Sequence, residues 1–506
     1  MGSPYLRLKH WILLAGIILI YLVIGSLTVF AQQPVGDEGP FASPAINFFR
    51  EGHLGMSVKE VEGTRWTRMD ERTFWQPPLY YLAQVAWYFY FGEGIFSMRF
   101  LSIHFGLIAL LALFSIMEKI TGSRATALLA VFLMAIDFVF IGEASHGRMD
   151  MMSEALALTG FACYVTYREK NLHYAILSGN TLVVLSGLTH PNGILAFIAL
   201  TFMTIYLDRG RITPKYCLIA AIPYILGAIG WGVYIMQDPQ AFIAQFGGNM
   251  SGRLPDSFSI IKSIRSEIFE RYLFAYGIAD GSAGIGKLRA LILAAYVMGL
   301  IASIFAVRRS IDRWGRSILY LLGIYFLGLT FLIGNRSTHY IIYIMPFYLI
   351  PLATSISFYW QESRKFRLAI AAGIIILCCL QTGVNARRIQ RNEYEKVYLP
   401  VVEQVKSLFD GSDYIMGPAA FGFAFDFQPY FVDDPTLGFY SGKVPDIIII
   451  DAGYLRWFEI FGAVNPDKHK DTQRILEHVR NLLENEYSAE YANSDYTVYV
   501  RDSQNS

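Results

Sequence analysis

Apolar runs of membrane-spanning length recur along most of the chain, and they leave it few possible folds. A helix needs roughly 20 mainly apolar residues to cross a bilayer. Eleven runs approach that length: Trp11 to Ala31, Ser97 to Met117, Ala125 to Ile141, Met151 to Tyr167, Tyr174 to Leu188, Gly193 to Leu207, Tyr216 to Met236, Leu288 to Val307, Ser317 to Ile333, Tyr340 to Trp360 and Leu368 to Val384. Only 16% of the 506 residues are charged, against about 25% in soluble domains. Inside a bilayer each backbone polar group must be satisfied without water, so a helical bundle is expected. A net charge of +1 supplies no basic surface for nucleic acid, and none is expected as a partner. Cys163, Cys217, Cys378 and Cys379 fall in or beside apolar runs and read as small buried hydrophobes.

Lys and Arg in short loops set the orientation. With the N-terminus inside, the inside loops hold Lys119 and Arg124, Arg168 and Lys170, Arg209, Arg211 and Lys215, Arg308 to Arg316, and Arg364 to Arg367. The short outside loops hold only Arg148 and Arg336. Val29-Phe30-Ala31 fits a cleavage pattern, but the preceding apolar core exceeds the roughly 7–15 residues of a signal peptide, so it reads as a span. A plasma (inner) membrane protein is expected, multi-pass, with a cytoplasmic N-terminus.

Two outer loops are long, residues 32–96 and 237–287. In the first, Gln76 to Gly92 is aromatic and too short to span comfortably. Pro77 and Pro78 suit a helix start, and its Trp and Tyr content suits the membrane interface. The spans and outer loops make one unit, residues 1–384. Residues 385–506 read as a small extracytoplasmic α/β domain. Its amphipathic segments are Tyr394 to Phe409 and Thr472 to Tyr487, and its strand candidates are Asp413 to Met416, Pro445 to Asp451 and Tyr496 to Val500.

Four clusters of chemically capable residues share the outer side. Asp37-Glu38 follows the first span; taken alone the pair suits first a solvated helix start, with a general base acting on a hydroxyl or amine as the functional alternative. Glu143, His146, Arg148 and Asp150 follow the third span. Asp150 suits a helix cap, while the planar fork of Arg148 suits a phosphate. Thr189-His190-Pro191-Asn192 and Asn335-Arg336 with His339 complete the set, each also readable as a plain turn. Asp137 and Glu154 sit inside runs, where ionisable groups face a cavity or reach the interface. No CxxC pair or His–Cys spacing points to a metal, so none is assigned; the residues leave a divalent ion neither required nor ruled out.

Several of these residues resemble those of the GT-C membrane glycosyltransferases, in particular the protein O-mannosyltransferases and aminoarabinose-type lipid A transferases. The likeness rests on Asp37-Glu38 after the first span, on Gln76-Pro77-Pro78-Leu79-Tyr80-Tyr81, on Phe91-Gly92 followed by Ser97-Met98-Arg99-Phe100-Leu101-Ser102, and on Arg148-Met149-Asp150. It implies a GT-C-type bundle and transfer of a sugar, with inversion, from a polyprenyl-phosphate donor to a lipid, glycan or protein acceptor at the outer face. It also implies Asp37 as base, Glu38 holding it or the acceptor, and Arg148 with Asp150 completing the pocket. Charge and sidedness add His190, Arg336 and His339 for the donor phosphate, and Gln76, Tyr80 and His146 are assigned to substrate binding. The chain departs from the aminoarabinose type, which carries an acid and a lysine before the prolines where Trp75 and Gln76 stand here. The 237–287 loop is also too short for the soluble repeats of the mannosyltransferases. A flippase or transporter would favour repeats and a midplane site, and a polysaccharide polymerase or ligase would favour large arginine-rich loops.

Overall fold

A computed structural model describes residues 4–62, 66–251, 259–281, 284–310, 313–454 and 469–502. The bundle opens with α1 (Pro4–Ala31), and its C-terminal end leads into α2 (Glu38–Glu51) and α3 (Leu79–Phe91). Then come α4 (Ile95–Thr121), α5 (Arg124–Ile136), α6 (Phe138–Ala144), α7 (Met149–Tyr167), α8 (Leu172–Thr189), α9 (Ile194–Asp208) and α10 (Pro214–Ile235). Four further long helices follow, Leu288–Ser310, Arg313–Phe331, Ile341–Glu362 and Arg364–Arg391. Among the described residues nine helices are long and apolar enough to cross a membrane, ten if one bent pair counts as a span. The protein is therefore a polytopic membrane bundle. Outward faces carry the aliphatic surface that lipid tails would cover, as on α10 with Leu218, Ile225, Leu226, Ile229 and Val233 exposed.

Two of the eleven expected spans differ in instructive ways. The run Ala125 to Ile141 is broken: α5 and α6 meet at a bend of 65°. Asp137 makes the break. Its backbone is extended (ψ 128°) and its carboxylate accepts from Val139 N and Phe140 N, capping α6. The other carboxylate oxygen accepts from Tyr296 Oη at 2.6 Å and Gln381 Nε2 at 2.9 Å, so this buried acid is a joint between helices and not a cavity group. The run Met151 to Tyr167 forms α7, whose Asp150, Ser153 and Glu154 leave it less apolar than its neighbours. Burial between α4 and α8 makes that tolerable, and Ser153 Oγ meets Ser186 Oγ at 2.9 Å. The cysteines also differ from expectation, since Cys217 and Cys379 lie on outward faces.

The aromatic stretch after Pro77 and Pro78 is the short helix α3. Its 13 residues cover about 20 Å at 1.5 Å per residue, well under the ~30 Å hydrocarbon core. Phe89, Tyr90 and Phe91 project from its end, exposed. That suits an interfacial helix.

The last long helix runs on to Arg391, beyond the boundary expected at residue 385. After it a five-stranded sheet has the order β2-β1-β3-β5-β4. The strands are β1 (Ile415–Met416), β2 (Phe431–Val432), β3 (Ile447–Asp451), β4 (Tyr487–Ala492) and β5 (Tyr496–Arg501). β2, β1 and β3 are parallel, while β5 and β4 form an antiparallel hairpin beside them. Helix His469–Asn485 covers one face through Ile475, Val479 and Leu482. The other face, with Ile415, Ile447 and Val498, joins one core with Phe41, Ala42, Tyr80 and Met149. The tail thus seats directly on the first long loop, residues 32–96. Lys59 Nζ meets Asp433 Oδ2 at 2.5 Å, Lys443 Nζ meets Glu60 Oε2 at 2.7 Å, and Gln33 Nε2 donates to Asp495 Oδ2 at 2.8 Å. A Cβ on Gly39 would lie 2.0 Å from Ala419 O, so no larger residue fits that seam.

Candidate active site

The α1–α2 junction fixes the first two acids in opposite roles. Glu38 opens α2 with no exposed surface, and both its oxygens are engaged. Arg99 Nε and Nη2 donate to it at 2.8 and 2.7 Å, Gly147 N at 2.7 Å and Val35 N at 2.9 Å. Arg99 also donates to Val29 O, Gln32 O and Gln33 O, satisfying carbonyls left over at the end of α1. Asp37, one residue earlier, keeps 48% of its side-chain surface and faces a cavity of about 230 Å³.

Arg148 forms the other half of the centre. Its Nη1 pairs with Asp37 Oδ2, and its Nε donates to Asp150 Oδ2 at 3.1 Å. Its guanidinium lies 5.5 Å from the Phe41 ring centroid. Asp150, in the first turn of α7 where the helix dipole favours an anion, accepts from Tyr343 Oη at 3.3 Å. His190 Nδ1 accepts from Asn192 N at 3.0 Å, which leaves the ring proton on Nε2, 3.8 Å from Asp150 Oδ1. Burial alone would push the Asp37 carboxyl up, but the adjacent Arg148 guanidinium outweighs it and holds it below the usual carboxylate range. Asp37 is therefore ionised at neutral pH. Burial drives His146 the other way, well below the usual imidazole value, and keeps it neutral.

The cavity is walled by Asp37, Phe41, Trp75, Gln76, Arg148, His190, Gly248, Asn249, Asn335, Ser337 and Tyr340. These come from both long loops and from three short turns at one end of the bundle. Trp75 stacks on Phe41 with centroids 5.2 Å apart, giving an aromatic wall. Gln76 is 1% exposed, and neither its amide oxygen nor its nitrogen has a hydrogen-bond partner. Two unmet polar atoms on a cavity wall fit a ligand with hydroxyl groups.

Comparison with known proteins follows from this geometry. A model of the family described as dolichyl-phosphate-mannose-protein mannosyltransferase matches residues 71–237. An uncharacterised protein of Aquifex aeolicus is 25% identical over 171 residues, a match covering 32% of each chain. The structure is similar to ArnT from Cupriavidus metallidurans bound to undecaprenyl phosphate, with a TM-score of 0.63 and 12% identity over 97% of this chain and 98% of ArnT. The GT-C fold is shared. The Archaeoglobus fulgidus oligosaccharyltransferase has it too, with a TM-score of 0.60 and 10% identity over 99% of this chain and 75% of that one.

Within this fold, Asp37, Gln76, Arg148 and His190, four of the residues singled out in the sequence, line one cavity. Asp150 stands behind Arg148. Glu38, expected to hold Asp37 or the acceptor, is closed off from the cavity and holds Arg99 and the Gly147 turn in place. Tyr80 is wholly buried against Phe41 and does not line the cavity. Arg336 departs furthest from expectation: it donates to Glu267 Oε2 and to the carbonyls of Leu329, Thr330 and Ile333. It caps the end of helix Arg313–Phe331, pairs with a protein carboxylate and does not line the cavity. His339 Nδ1 is instead 2.7 Å from Glu143 Oε2. Arg99, Trp75, Asn249 and Tyr343 received no role from the sequence. For Arg99 the signal was a charge placed early in an otherwise apolar helix.

Proposed function

We propose that the protein is a membrane glycosyltransferase that moves a sugar from a polyprenyl-phosphate donor to an acceptor at the extracytoplasmic face. The observation carrying this reading is the Asp37–Arg148 pair, an ionised carboxylate and a guanidinium side by side on the wall of a cavity in a GT-C fold. ArnT, which shares that fold, was crystallised with undecaprenyl phosphate.

In this mechanism Asp37 takes the proton from the acceptor hydroxyl or amine as its heteroatom bonds to the anomeric carbon. The bond from that carbon to the phosphate oxygen breaks, and its electron pair leaves with the phosphate, whose charge Arg148 receives. Attack opposite the departing phosphate inverts the centre. Asp150, His190 and Tyr343 hold Arg148 in position, so little reorganisation accompanies the reaction. Gln76 and Trp75 face the sugar. The domain after Arg391, seated on the first long loop, lies on the extracytoplasmic side with Asp37.

The direct test is a reconstituted assay with the purified protein, synthetic polyprenyl-phosphate sugars and acceptor lipids, glycans or peptides from the same cells. Release of free polyprenyl phosphate coupled to a glycosylated product supports the reading. Vesicle-to-vesicle movement of intact donor without product would make the protein a transporter. Arg148→Ala should weaken donor binding by about tenfold to a hundredfold, the loss of one charged hydrogen bond at ~1.5–3 kcal/mol. It should also raise the Asp37 pKa. Because Asp37 acts deprotonated and Arg148 holds its pKa low, the acid limb of the pH–rate profile should move to higher pH in the variant. An unmoved limb would dissociate Asp37 from the base role.

The orientation has its own check. A cysteine at position 36, the only reactive one in a chain otherwise cleared of cysteine, should react with a membrane-impermeant maleimide on intact spheroplasts. Protection there, with labelling only after lysis, would place the cavity on the cytoplasmic side.

A further inference from the structure

Glu143 and His146 leave the end of α6 three residues apart, a spacing that puts two side chains on one side of a helical turn. His146 N donates to Glu143 O at 3.3 Å, and Arg148 N donates to His146 O at 2.9 Å, so the turn is tightly fixed. His339 reaches them from the single turn Thr338–Tyr340 that precedes helix Ile341–Glu362. One ligand-capable atom from each of the three lies within 4.8 Å of the other two. The rings of His146 and His339 stand edge to face at 84° with centroids 6.0 Å apart. His146 Nδ1 is buried and has no hydrogen-bond partner. A bare imidazole nitrogen is an uncommon thing to bury, and such an atom calls for a particular explanation.

We propose that Glu143, His146 and His339 bind a divalent transition metal of the zinc class. Two imidazoles and one carboxylate are a donor set that zinc takes in three-ligand sites with an open fourth position. Calcium and magnesium select oxygen shells, which two imidazoles do not provide. With bonds of about 2.0–2.1 Å, tetrahedral ligands stand roughly 3.4 Å apart. Side-chain adjustments on the order of 1 Å would therefore close this triad on an ion. Metal entry replaces the His339–Glu143 hydrogen bond with two metal bonds and adds a third from a His146 ring nitrogen; a ring proton on a ligating nitrogen leaves to solvent. The neighbouring Arg148 is matched by Asp37 and Asp150, and Arg388 donates to Phe138 O at 3.0 Å. None of the three ligands lines the cavity that holds Asp37, so the proposal stands apart from the sugar-transfer reading and is tested without donor or acceptor.

The experiment uses the full chain, purified in detergent without a polyhistidine tag, stripped with chelator and titrated with cobalt(II) chloride. The expected result is one cobalt per chain with the visible absorption of a tetrahedral N/O site, displaced stoichiometrically by zinc. His146→Ala and His339→Gln should each weaken binding by at least about tenfold. Absence of both the absorption and any heat of zinc binding overturns the proposal, as does wild-type affinity in the His146→Ala/His339→Gln double variant. Since a variant can fail to fold, X-ray absorption at the zinc edge of the loaded wild-type protein gives an independent reading. Two imidazoles with an oxygen in the shell support the site, and an all-oxygen or sulfur-containing shell refutes it.

Discussion

Replacing Asp37 with Asn lowers sugar transfer by about 10²- to 10⁴-fold, the range for loss of a positioned general base, and leaves the bundle folded. The asparagine fills the same volume and can still accept from Arg148. It cannot take up the acceptor's proton. Because the buried Arg148 keeps its Asp150 partner, the replacement leaves no buried charge unpaired, and the melting temperature of the detergent-solubilised protein should hold within a few degrees. Donor affinity should hold as well, since Arg148 remains. Turnover within a few-fold of wild type in a protein of normal elution and melting behaviour would remove Asp37 from the chemistry.

Its neighbour should behave in the opposite way. Glu38→Ala is expected to destabilise the protein by about 3–5 kcal/mol, the range for breaking a buried ion pair from one side. The variant leaves the Arg99 guanidinium with no exposed surface and no counter-charge, and it strips the Gly147 and Val35 amides of their acceptor. Arg99→Ala should be comparably damaging, because it also frees three carbonyls at the end of α1. Both are read by thermal unfolding and by protease resistance. A Glu38→Ala protein that melts normally yet has lost transfer would reverse the assignment and make Glu38 a reacting group. Two adjacent carboxylates thus separate cleanly, one by rate and one by stability.

What the chain made legible was set by local pattern. Hydropathy located the helices, since a bilayer imposes length and apolar character on each segment. The four polar clusters did converge on one end of the bundle because each sat in a turn of the same parity. Pairings across distant segments were another matter. Nothing near Glu38 indicates that Arg99 will close on it, and nothing near Arg336 indicates that helix-end carbonyls will claim it before a ligand can. Asp137 carried a usable clue, an aspartate being a favoured helix cap. Amid apolar residues, though, periodicity alone could not tell a cap from a buried acid. In the tail, β3 was legible from its β-branched run and β5 from its alternation, whereas β2 has two residues and β4 follows directly on an amphipathic helix that masked its start.

The seam between Gly39 and Ala419 has a bearing on biogenesis. The cavity wall begins within the first forty residues, yet what braces it is synthesised some 380 residues later. Each nascent chain must thread its whole bundle into the bilayer before that brace exists. A prematurely terminated product would therefore carry Asp37 and Arg148 into the membrane without a seated first loop.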